Sequence, residues 1–265
     1  MVSSNQVDLM MAISLVFSMA VGYYVFVPKN LKSKSSSKMP NSAGISEILP
    51  YAILAVFIFM LMNFKTAIAN FLGLEPYRNC DQYMLMLEGT EVYHFQSLMT
   101  PMLTYFSGII YLLGFSFLLI FTFIILLSTR NTRTLKEYLI SLVFICLASY
   151  PFYIFFPVNV TCHVLPGMVP LLYQMNPAIL WIATICDPGL NNCFPSLHAS
   201  ISVVTTLFIL FRTDLERYKV FAVLTTIFIL FAILYLGIHW ITDLIGGIIL
   251  AFIAYFIAIR SFTTR

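Results

Sequence analysis

Gly237-Ile-His-Trp-Ile-Thr-Asp-Leu-Ile-Gly-Gly247 lies between two long apolar runs, and its reading decides what the chain around it must be. The spacing puts His239 and Asp243 four residues apart, one above the other on a helical face. Both fall at the threshold of a segment that otherwise has the composition of a membrane span. An ionisable pair there is expensive and points to a functional site; the plainer reading is a helix-end ion pair or a polar seal inside a bundle. A second stretch upstream, Cys193-Phe-Pro-Ser-Leu-His198, also sits where a loop enters an apolar helix, and it weighs against the plainer reading.

Composition sets the environment. The 265 residues are 60% hydrophobic and only 9% charged, with mean hydropathy +0.93, whereas soluble domains carry roughly 25% charged residues. The chain therefore reads as an integral membrane protein. Twenty-five Phe and 15 Tyr suit packed spans with aromatic anchors, and a net charge of +3 is too small to suggest nucleic acid as a partner. No internal repeat and no soluble domain is visible.

Seven apolar segments stand out, at 8–27, 46–64, 99–127, 138–156, 197–211, 220–237 and 243–259. Most approach the ~20 residues that cross a bilayer. The expected fold is all-α, a polytopic membrane helical bundle of about seven transmembrane helices. Pro101 suits a first helical turn, whereas Pro151 is expected to kink the fourth span. Nothing basic precedes the first run, Asp8 interrupts its start, and Lys29, Lys32, Lys34 and Lys38 follow it. That order argues for a retained span with its N-terminus outside.

Alternate loops hold twelve of the 14 Lys and Arg: 28–45, 128–137, 212–219 and the C-terminus. The opposite side has only Lys65 and Arg78. This asymmetry predicts an outer N-terminus and an inner C-terminus, with both His-bearing stretches on the extracytoplasmic face. Residues 1–45 then form an extra N-terminal helix with a basic cytoplasmic linker, and 46–265 a six-helix membrane-embedded domain. The outer segment 65–98 mixes Met84–Met86 with Glu75, Asp81, Glu88 and Glu91, and suits either a surface-lying cover or a lid. Cys80, Cys162, Cys186 and Cys193 also fall outside, where a bridge from Cys162 to Cys186 or Cys193 is conceivable. Asn159-Val-Thr161 forms a glycosylation sequon on that side. Trp181 and Trp240 are expected as interface anchors.

If His198, His239, Asp243 and Ser196 meet, the parts suit phosphoryl transfer. Asp243 would accept from one ring nitrogen of His239 and make the other more basic, able to attack phosphorus. His198 would hand a proton to the leaving alkoxide and later activate the acceptor hydroxyl. Pro195 suits a helix start, whose free N–H groups hold phosphate oxygens, and Ser196 adds a hydroxyl. Tyr150 and Tyr153 read as interface aromatics or as substrate-site hydroxyls. Metal binding or a proton relay by His198, His239 and Asp243 is a rival use, as is a non-catalytic bundle. The reading needs no cofactor and no metal.

FPSLHAS and GIHWITDLIGG resemble the second and third motifs of the type-2 phosphatidic-acid phosphatase/haloperoxidase superfamily, over roughly residues 46–260. The resemblance implies a six-helix phosphatase-like core with one added N-terminal helix. It implies that His239 is the nucleophile, Asp243 its partner, His198 the general acid, and Ser196 a phosphate ligand. The phosphatase branch carries a basic first motif and an Arg six residues before the nucleophile; here that position is Ile233, and 137–211 contains no Lys or Arg. In this the chain is similar to the inositolphosphotransferase and sphingomyelin-synthase-like branch. That similarity implies a membrane phospholipid donor and a lipid or polyol hydroxyl acceptor. A lipid-phosphate or polyprenyl-diphosphate phosphatase, with water as acceptor, is the alternative.

Overall fold

In a computed structural model of the chain, residues 4–28, 42–73 and 79–262 are described. The linker lysines Lys29, Lys32, Lys34 and Lys38, together with Glu75, Arg78 and Arg265, lie outside the described residues, as do the side chains of Asp8 and Cys186. Apart from one isolated bridge between Val158 and Asn192, the described residues form helices, turns and loops. Four helices are long and apolar enough to cross a membrane, and three shorter apolar helices coincide with the other three apolar segments. Phe17, Ile53, Phe57, Met102, Ile227 and Ile249 are among the many exposed apolar side chains of these helices. In water such a surface would aggregate; in a bilayer it is the solvated face.

In chain order, α1 (Ser4–Phe26) and α2 (Ser42–Leu61) lead to a short α3 (Lys65–Phe71). Two short helices follow, α4 (Asp81–Glu88) and α5 (Tyr93–Gln96). Then comes α6 (Pro101–Ser128), opened by Thr100, whose side chain accepts from the Leu103 amide, with Pro101 in the first turn. One π-type turn, Ile110–Gly114, interrupts α6. Helix α7 (Thr132–Phe155) begins earlier than hydropathy alone suggests, because Asn131 caps it, and it continues through Pro151. The connection that follows folds into α8 (Thr161–Val164), α9 (Leu171–Met175) and the apolar α10 (Pro177–Cys186). Three helices complete the bundle: α11 (Leu197–Arg212), α12 (Glu216–Tyr235) and α13 (Ile241–Ser261).

Buried hydroxyls join these helices where no water can satisfy them. Thr122 and Tyr218 share a 2.8 Å hydrogen bond, Tyr138 and Thr205 one of 3.1 Å, and Thr206 and Thr226 one of 2.7 Å. At the end of the bundle where α11 finishes, the fully buried Glu137 carboxylate accepts from Arg133 and, through both oxygens, from Arg212. A single buried carboxylate matched by two guanidiniums is the arrangement that makes such burial tolerable.

Helices α11 and α13 pack closely at Gly247. A Cβ there would lie 2.6 Å from the Ser196 carbonyl oxygen and 2.9 Å from Ala199 Cβ. At Gly246 it would meet the ring of Phe194, a side chain able to yield. Both glycines therefore admit close packing, and the demand is strictest at Gly247. Gly247→Ala is expected to cost about 1–3 kcal/mol of stability, and Gly246→Ala clearly less; equal melting temperatures in detergent would contradict this packing.

Candidate active site

The site forms where three backbone breaks converge. The first ends α12: Gly237 has φ +80°, and the amides of Ile238 and His239 both return to the Ile233 carbonyl at 3.2 and 3.0 Å. The positive φ favours glycine, and a Cβ would also stand 3.0 Å from the Val169 oxygen. The second begins α13, where Trp240 N–H donates to Asp243 Oδ2 at 2.9 Å. The third begins α11 with Ser196 as N-cap, its Oγ accepting from the Ala199 amide at 3.3 Å. Pro195 stands one residue before that cap, in a cis peptide with Phe194, and not in the first helical turn as expected.

These breaks bring the expected residues together. His239 Nδ1 lies 3.2 Å from Asp243 Oδ2, and His239 Nε2 lies 3.2 Å from Ser196 Oγ. The rings of His198 and His239 have centroids 5.8 Å apart. Ser196 N–H donates to the Asp243 carbonyl at 3.1 Å, tying the two helix starts directly. Tyr153 is buried, and its hydroxyl donates to the Pro195 carbonyl at 2.8 Å, so it braces the motif from α7. Tyr150 packs in the small cluster that includes Tyr153 and Leu197, and its buried hydroxyl has no partner among the described residues. The same holds for Asp243 Oδ1.

An outer layer holds this arrangement. Glu88, the last residue of α4, accepts from the Ile241 amide at 3.0 Å, the Thr242 amide at 2.7 Å and the Thr242 hydroxyl at 2.8 Å. Asp81, the first residue of α4, accepts from the Asn159 amide and side chain at 2.8 and 3.0 Å. The Asn159 carbonyl in turn accepts from Trp240 Nε1 at 2.9 Å. Helix α4 is thus amphipathic, with Met84 buried and Met86 exposed, and it grips the start of α13 from both of its ends. Trp240 is fully buried, so it is not the interface anchor its composition suggested. The Asn159 side chain is engaged by Asp81, which argues against the sequon as a sugar acceptor. His94 is exposed, 3.4 Å from Glu91, and takes no part in the site.

Lys65 is buried beside the loop that leads into Cys193. Its Nζ donates to Asn191, to Asn192 and, at 3.4 Å, to Asp187. Burial pushes this ammonium down from its ordinary value while the Asp187 carboxylate opposes the shift. Cys193 and Cys162 carry free thiols, so the bridge considered from the sequence is not formed. Cys193 donates to the Ile238 carbonyl at 3.5 Å, and burial raises its thiol well above its usual range. Cys193 Sγ, a His239 nitrogen and an Asp243 oxygen lie within 4.8 Å of one another, a set able to hold a metal ion. His198 is not in that set.

Sequence reasoning missed Glu88 as the cap of α13 and missed Tyr111 and Phe115, whose rings lie 4.6 and 4.7 Å from that of His198. The acidic residues of 65–98 were visible, but nothing in their spacing named the helix they would cap.

The fold and this cluster define an integral membrane helical bundle with two imidazoles and a carboxylate gathered at one end. A family model described as the PAP2 superfamily matches residues 91–257, well over half the chain, and the chain belongs to that superfamily. Members of this superfamily are generally phosphatases or phosphotransferases. No curated protein and no solved structure matches the chain.

Glu88→Ala removes three acceptor contacts from the first turn of α13. The expected loss is about 1–2 kcal/mol of stability, with faster hydrogen exchange at the Ile241 and Thr242 amides. Unchanged protection at those two amides would dissolve the grip assigned to α4.

Proposed function

We propose that this protein is a lipid phosphotransferase that exchanges a phospho-head group through a phosphohistidine intermediate on the extracytoplasmic face. The observation that carries the reading is His239 held between Asp243 and Ser196, with His198 across a gap of 5.8 Å between ring centroids. Asp243 accepts a hydrogen bond from the Nδ1–H of His239, which fixes that tautomer and leaves a lone pair on Nε2, the nitrogen beside Ser196. That lone pair attacks phosphorus and the bond to the leaving oxygen breaks. His198, protonated, delivers its proton to that oxygen. In the second half, His198 removes the proton of an incoming lipid or polyol hydroxyl, whose oxygen takes phosphorus from His239. Both imidazoles return to their starting states. Water in place of the alcohol would give hydrolysis.

The phosphate would sit at the start of α11, where first-turn N–H groups lack intrahelical partners and Ser196 Oγ is close to Nε2. Tyr150, with its unpartnered hydroxyl, is the substrate-site group; Tyr153 and Pro195 serve by positioning Ser196. The charge balance favours a phosphodiester donor, a membrane phospholipid. A monoester carries about −1.5 to −2 near neutral pH and wants guanidinium or ammonium partners. At the position of the phosphatase-branch Arg stands the fully buried Ile233, and Lys65 is already engaged by Asp187 and two asparagines. The core 46–265 would carry the reaction, with α1 as an accessory helix.

The test is a labelled phospholipid panel given to purified protein, with and without candidate alcohols, followed by product separation. Transfer of the phospho-head group to the alcohol supports the reading, whereas phosphate release from monoester or diphosphate lipids supports the phosphatase alternative. His239→Ala should abolish turnover and any trapped phosphoenzyme, and Asp243→Asn should slow turnover strongly. Normal turnover by His239→Ala would defeat the mechanism. Loss of activity on chelation would instead favour metal use at Cys193, His239 and Asp243.

A further inference from the structure

The geometry points to Tyr111 and Phe115 as positioning residues that hold His198 for proton transfer to the leaving group. This inference rests on the role given above to His198. Neither residue belongs to the two motifs. Both come from α6, and both lie at its single irregularity: Tyr111 within the π-type turn Ile110–Gly114, and Phe115 immediately after it. Such a turn admits one extra residue and shifts the phase of the helix beyond it, which costs hydrogen-bond quality and recurs at functional sites. What the shift achieves here is specific. The Tyr111 ring lies 4.6 Å from the His198 ring at 34°, and the Phe115 ring 4.7 Å at 53°.

Two aromatic rings within 5 Å of one imidazole do two things. They limit rotation of the imidazole about its Cβ–Cγ bond, so that the ring keeps its place 5.8 Å, centroid to centroid, from that of His239. Their negative faces also attract a positively charged ring within about 6 Å of the centroid, and so suit the imidazolium that donates the proton. Among the described residues the ring of His198 meets those of Tyr111, Phe115 and His239 and forms no ion pair with a carboxylate. His239 has Asp243 to orient it. For His198 the aromatic pair takes that part.

A positioning role has a signature that a packing role lacks: the loss depends on how badly the leaving group needs a proton. Two donors with the same phospho-head group separate the cases, a natural-type phospholipid, from which a lipid alkoxide leaves (the alkyl donor), and the p-nitrophenyl ester of that phospho-head group, whose phenolate leaves unaided. Tyr111→Leu and Phe115→Leu are each expected to lower kcat on the alkyl donor about tenfold, a fraction of general-acid catalysis as a whole. On the nitrophenyl donor each should stay within about twofold of wild type. Tyr111→Phe and Phe115→Tyr, which keep the rings, should stay near wild type on both donors. His198→Ala should show the same donor dependence at larger amplitude.

Equal loss on the two donors would overturn the inference and leave the rings as packing. Loss in Tyr111→Phe as large as in Tyr111→Leu would overturn it in favour of the hydroxyl, and no loss in either leucine variant would also overturn it. If wild type turned over neither donor, or His239→Ala turned over both, the phosphotransfer reading itself would be the part that failed.

Discussion

The carboxylate of Asp243 is the fixed point of this molecule. One of its oxygens accepts from the Trp240 amide and faces His239 Nδ1, while its backbone carbonyl accepts from the Ser196 amide. A single residue thereby closes the first turn of α13, sets the face of the imidazole and fastens the start of α11. Asp243 is fully buried, and a buried charge is tolerable only where the surrounding dipoles are already oriented toward it. The chain supplies them at Oδ2 through local hydrogen bonds, and the same bonds leave little freedom for the ring of His239.

Among the described residues, the buried charge-bearing groups gather at two poles of the bundle. At one, Glu137 gathers Arg133 and Arg212, and the Arg133 guanidinium also reaches the Phe262 carbonyl beyond the end of α13. At the other, α13 begins with His239 and Asp243 under the grip of α4. Both ends of α13 are anchored by charge-assisted hydrogen bonds, and the apolar length between them packs on α11 through Gly247. The two poles differ in balance. Around Glu137 cations exceed anions, which suits a structural clamp, whereas around Asp243 the matching cation would have to be a protonated imidazole.

Much of this was legible in the sequence, for identifiable reasons. The seven apolar segments correspond to helices because a membrane requires continuous apolar stretches with internally satisfied backbones, and the convergence of His198, His239, Asp243 and Ser196 follows from two motifs at two helix starts. What hid was whatever depended on distant partners. Trp240 looked like an interface anchor because composition cannot reveal that its indole N–H finds Asn159. The short helices of 156–186 lie between apolar runs without the periodicity that would mark them. The π-type turn has no sequence signature at all, so Tyr111 and Phe115 vanished among the other aromatics of a span rich in them.

Among the described residues cations are scarce near His239, and this bears on how such a site could stabilise charge at all. A dianionic ester would meet Asp243 beneath it and Glu88 at the first turn of α13, with Lys65 already neutralised, and in a poorly solvated setting the repulsion would be strong. A diester brings one negative charge. One protonated imidazole, the first-turn N–H groups of α11 and the Ser196 hydroxyl suffice to answer it. In the proposed transfer the proton on His198 would have two uses at once, as counter-charge while the ester binds and as the proton the leaving oxygen takes. A phosphatase site with guanidinium groups can separate those uses, but a site built like this one has to combine them, which places unusual weight on whatever holds His198 still.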